Sequence, residues 1–165
     1  MHLHAERGDL VADVGGKGLG DRGEERRALV RGLARRLVGA PMRAVAAVNA
    51  SNDPAFGWTG VRLEDAVDAL ERTTDWLLGS KANDPDPVLA GATPYLRLFA
   101  LTAGGALLAQ EALAAKGLGG NGADAAARIA LARFFAENLA VQAGGLERTV
   151  VEGADSVNRA DAALA

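Results

Sequence analysis

Two histidines, His2 and His4, stand two positions apart at the head of a chain that has no cysteine. Such a pair could place two imidazoles on one metal ion, but a zinc-type site takes at least three protein ligands, and no third histidine follows. The same shortage removes the usual nucleophile–histidine arrangements, and the missing thiols remove disulfides and cysteine-ligated metal. Carboxylates are the remaining candidates for acid–base work. Glu111, Glu137, Glu147 and Glu152 fall on predicted helices, and none lies on an apolar stripe that would force it inward. A solvated helix face is the expected place for all four. Gly18-Leu19-Gly20-Asp21-Arg22-Gly23 and the stretch from Gly117 to Gly122 both match G-x-G-x-x-G. A phosphate cradle of that kind needs a strand before it, a helix after it and an acidic residue beyond a second strand. The second match lies between two helices, and the first has only Leu10-Val11-Ala12 before it. Both are read as loop glycine. No catalytic, cofactor-binding or metal-ligating residue is assigned.

The elements that would position any chemistry are helices. Apolar residues make up 49% of the 165 and charged residues 24%, the balance of a globular chain, while aromatics are only 4%. Alanine and leucine dominate, which favours helix over sheet, and no period-two pattern marks a strand. The net charge of −3 gives no drive toward a phosphate backbone, so nucleic acid is not an expected partner. The polar start, Met1-His2-Leu3-His4-Ala5-Glu6-Arg7, has no signal-peptide core. The apolar run 98–109 is too short to span a bilayer. A soluble, cytoplasmic protein is expected.

Residues 1–22 read as a flexible leader, 23–157 as a helical bundle and 158–165 as a tail that frays. Leu29, Leu33 and Leu37 recur at helical spacing within a ring of arginines; Pro41 should kink or break that helix, and a further helical piece over 42–49 follows through Val45 and Val48. A second helix is predicted over 62–78, with Asp68 and Arg72 placed to pair one turn apart. A third covers 88–116; there Thr93-Pro94 marks either a new capped helix or a kink in one helix. The last covers 123–153, with Leu131, Phe135, Leu139, Leu146 and Val150 as its stripe. Tyr95, Arg97, Phe99, Phe134 and Phe135 read as packing residues. These pieces assemble into an all-α fold, an antiparallel up-and-down bundle of about four long helices.

The triplet Ala-Gly-Gly occurs twice, at 103–105 and 143–145. Each glycine inside a helix costs about 1 kcal/mol against alanine, so each pair should have a packing reason. If the last two long helices run antiparallel, residues at equal height have numbers summing to about 239, given a rise of about 1.5 Å per residue. Gly104 then faces the region of Phe134 and Phe135, and Gly144 that of Pro94 and Tyr95. Both glycine pairs are expected to receive a bulky neighbour.

Gly91-Ala92-Thr93-Pro94-Tyr95-Leu96-Arg97-Leu98-Phe99, followed by Ala103-Gly104-Gly105, resembles the C-terminal helical extension of one acyl-CoA dehydrogenase subfamily. Ala132-Arg133-Phe134-Phe135-Ala136-Glu137-Asn138-Leu139 and Gly153-Ala154-Asp155-Ser156-Val157 resemble the end of that extension. The likeness is most specific over 88–157 and looser over 24–80. It implies an FAD-dependent parent enzyme in which a glutamate removes the α-proton of an acyl-CoA and flavin accepts the β-hydride. The family's base lies in a Tyr-Glu-Gly-Thr-like segment before an Asp-Leu-Val-Gly-Arg-Lys-like one. Here Asp9-Leu10-Val11 is followed by Ala12-Asp13-Val14, and His4-Ala5-Glu6-Arg7-Gly8 does not match the base motif, so Glu6 does not inherit the role.

The resemblance implies an accessory domain that packs on a dehydrogenase core, its own or a companion chain's, binds no cofactor by itself, and meets acyl-CoA only in the assembly; a homo-oligomer is also expected. Two alternatives stand beside it: a subunit of a split FAD-dependent acyl-CoA dehydrogenase, and a self-standing homo-oligomeric interaction bundle.

Overall fold

The structure, a computed structural model, describes residues 19–80, 85–118 and 122–164. The elements run α1 (Leu19–Ser51), a 3-10 turn (Pro54–Phe56), α2 (Thr59–Ser80), α3 (Asp86–Gly117), α4 (Gly122–Asn138), a second 3-10 turn (Ala140–Gln142), α5 (Ala143–Glu152) and α6 (Ala154–Leu164). No strand occurs among the described residues, and the fold is an all-α bundle. Contacts divide the chain into a unit ending at Leu33 and a second unit, Ala34–Ala165. The first unit is described as helix from Leu19 onward. The packing that follows belongs to the second. Residues 1–18 of the expected leader, with His2 and His4, lie outside the described residues.

α1 continues through Pro41, which therefore does not break it. Proline removes one backbone hydrogen bond to the preceding turn, and here its ring is buried. The row expected to be buried is displaced. Leu29, Leu33 and Leu37 are exposed and Val38 enters the core instead, while Val45 and Val48, the apolar positions expected after Pro41, are buried. One residue along a helix is a rotation of about 100°, so the apolar arc was read one step too early.

The loop 52–58 is built by its polar residues. Asp53 Oδ1 accepts from the Ala55 N–H at 2.9 Å, capping the 3-10 turn. Thr59 Oγ1 donates to the Phe56 carbonyl at 2.5 Å, and Phe56 itself is buried. From Thr59, α2 buries Leu63, Ala66, Val67, Leu70, Thr73 and Thr74. Thr73 and Thr74 return their hydroxyls to the carbonyls of Ala69 and Leu70, so neither leaves a buried polar atom unpaired.

α3 packs against α2, α4, α5 and α6. By length and composition it is apolar enough to cross a membrane, although only 98–109 read as strongly apolar in the sequence. Four helices pack along it, while Leu89, Leu96 and Leu107 stay exposed. It stays one helix through Pro94, which resolves the Thr93-Pro94 alternatives. Its buried face is made of small residues: Gly91, Thr102, Gly105, Ala106, Ala109 and Ala112, with Leu98 as the large exception. Small side chains let neighbouring axes approach closely: Thr102 Oγ1 lies 3.0 Å from the Leu98 carbonyl of its own helix and 3.3 Å from the Ala66 carbonyl of α2, and its one proton is shared between them.

The final helix differs most from expectation. In place of one helix over 123–153, α4 stops at Asn138, a 3-10 turn intervenes, and α5 starts at Ala143. Asn138 Nδ2 donates to the Phe134 carbonyl at 2.9 Å, a side-chain competitor for the helix ladder. Leu139 then takes φ −109°. Gly144 and Gly145 thus occupy the first turn of α5, where unpaired N–H groups are normal, and not the middle of a helix. Past Gly153, helical backbone continues through Leu164, into the stretch expected to fray.

Candidate functional site

The described polar groups gather into clamps between elements. Arg72 of α2 holds Glu147 of α5 with a fork, Nε to Oε1 at 2.7 Å and Nη2 to Oε2 at 2.8 Å. The expected Asp68–Arg72 pair gives way to it, because the guanidinium reaches a carboxylate on the facing helix and meets it with both nitrogens. This bonding draws the Glu147 carboxyl below the usual carboxylate range and raises Arg72. Arg97 of α3 donates to Gln142 Oε1 at 3.0 Å. Lys116, in the last turn of α3, donates to Asp53 Oδ2 at 2.7 Å, and this bond, with that from the Ala55 N–H, lowers the Asp53 pKa.

Glu137 joins α4 to the start of α2. Its Oε1 accepts from the Trp58 N–H at 3.1 Å and from Arg133 Nε at 2.8 Å. The Trp58 bond is the main reason its pKa falls, with Arg133 adding to it. The loop approaches so closely that a Cβ on Gly57 would stand 2.6 Å from Arg133 Cζ, and Gly57 has φ +52°. Glycine fits there on both counts. Glu111 pairs with Arg128, which also binds Asp124 at 3.1 Å.

Two clefts accompany these clamps. One, of about 260 Å³, is lined by Arg62, Asp65, Asp68, Arg72, Val141 and Gly144, among others. The other, of about 280 Å³, is lined by Leu108, Glu111, Asp124, Ala127, Arg128 and Leu131. A general acid at neutral pH needs a carboxyl pushed upward by burial or by a like charge. Every described carboxyl with a shifted pKa moves the other way, held ionised by a cation or a backbone N–H. Such groups fasten neighbouring elements together. Among the described residues no cluster of three metal-ligating side chains occurs.

The four helix carboxylates therefore divide. Glu111, Glu137 and Glu147 are clamp residues, and Glu152 is exposed. Of the two glycine motifs, the part of the first that is described, 19–23, is helix, and the second spans the end of α3 and the start of α4, with 119–121 outside the described residues. Sequence reasoning had not identified the clamps, but the height rule contained two of them. Glu111 and Arg128 lie at equal height, and so do Arg97 and Gln142.

No curated protein and no solved structure matches the chain. The family described as acetyl-CoA dehydrogenase C-terminal like matches residues 38–161. That span begins near the start of the second unit and takes in the buried row of α1, every clamp described above and both Ala-Gly-Gly triplets. The chain belongs to the acetyl-CoA dehydrogenase C-terminal-like family.

Proposed function

We propose that the chain serves as an accessory helical domain of an acyl-CoA dehydrogenase-type flavoprotein, packing on a dehydrogenase core and contributing no catalytic group of its own. The observation that carries this is the family match over 38–161, which covers a bundle whose perturbed carboxylates are all engaged in holding helices together. The two clefts, of about 260 and 280 Å³, are lined in part by ion-paired side chains, where cofactor pockets are mostly apolar. Flavin chemistry is accordingly assigned to the core.

The test is an absorbance spectrum of the purified chain with added FAD, before and after acyl-CoA. The expected result is no stoichiometric flavin band. A bound flavin bleached by acyl-CoA would make the chain an enzyme and overturn the proposal.

A further inference from the structure

We draw no further inference here: the strongest candidate, the stretch of α1 that carries exposed Leu29, Leu33 and Leu37 in an arginine-rich sequence, is an unpartnered apolar face, and nothing in the structure shows what covers it.

Discussion

The two Ala-Gly-Gly triplets are identical in sequence and opposite in circumstance. At 103–105 the glycines sit mid-helix in α3 and receive Phe135: a Cβ on Gly104 would lie 3.4 Å from Phe135 Cζ. One on Gly105 would lie 2.5 Å from Leu63 Cδ2 and 3.3 Å from Phe135 Cδ1. At 143–145 the glycines open α5, and a Cβ on Gly144 or Gly145 would meet nothing within 4 Å. The first pair is a packing device between three helices. The second follows a break in the chain and faces outward. The same local cost of glycine is thus offset in one place by burial and reduced in the other by its position in the first turn.

The widest gap between the triplets should appear with leucine at both. Gly105→Leu pushes a branched side chain against buried Leu63 and partly buried Phe135 and should cost about 2–3 kcal/mol. Urea unfolding measures it. A loss under about 1 kcal/mol would mean that α2 and α4 separate easily from α3, and the contrast between the triplets would vanish.

A second glycine sharpens the comparison. Gly91 stands in the family-like Gly-Ala-Thr-Pro segment and performs the task expected of Gly144. A Cβ there would be 2.9 Å from Val150 Cγ1 and 3.4 Å from the Val150 carbonyl oxygen. Gly91→Ala should destabilise by about 1–2 kcal/mol. In combination with Val150→Ala it should cost less than the two singles added, because shortening the valine reopens the space. Strict additivity would show that α3 and α5 are not in contact at this point.

A smaller effect separates α5 from α3 by charge. Glu147 has a carboxyl lowered from 4.5 by Arg72. A carboxyl with a lower pKa folded than unfolded contributes its full stabilisation above the unfolded value and loses it as pH falls through the folded one. The stability gap between wild type and Glu147→Gln should therefore be level at neutral pH and close as pH drops below about 4.5. Arg72 is 61% exposed, so the gap should be only about 0.2–1 kcal/mol. A gap that widens in acid would reverse the sign and remove the ion pair as its cause.

What the sequence made legible was height. The rule of equal heights across the 117–122 turn places Glu111 by Arg128, Gly104 by Phe135 and Arg97 by Gln142, and all three contacts exist. The third falls at the last residue of the 3-10 turn, so the register holds to the end of a break that the sequence does not announce. What remained illegible was azimuth. Height follows from counting residues, but the direction a residue faces turns by about 100° per position and is reset by any local change of helix type. The turn at Leu139 does that for Gly144. A one-residue misreading of the apolar arc does it for Leu29, Leu33 and Leu37. Asn138, whose side chain bonds back to the Phe134 carbonyl, is the last residue of α4 before the break.

The smallest effect is the most discriminating, because the two readings of Gly144 predict different outcomes for it. From height alone, Gly144→Leu should overpack against Pro94 and Tyr95 and lose roughly 1–3 kcal/mol. In the structure Gly144 is exposed, lines a cleft with Arg62, Asp65 and Asp68, and has no neighbour for a Cβ. Leucine also holds a helix better than glycine, by up to about 0.8 kcal/mol in a helix interior and less in a first turn. The change should therefore fall within about 0.5 kcal/mol of zero, as surface substitutions do, leaning toward stabilisation. Tyr95 gives an internal check, since its hydroxyl lies 2.9 Å from Thr74 Oγ1 and not against α5's first turn. Its fluorescence cannot be isolated beside two tryptophans, but its proton resonances can. They should be unmoved by Gly144→Leu and displaced by Gly91→Ala. A loss of 1 kcal/mol or more at Gly144, with Tyr95 shifted, would put the second triplet back against α3 and make the two alike.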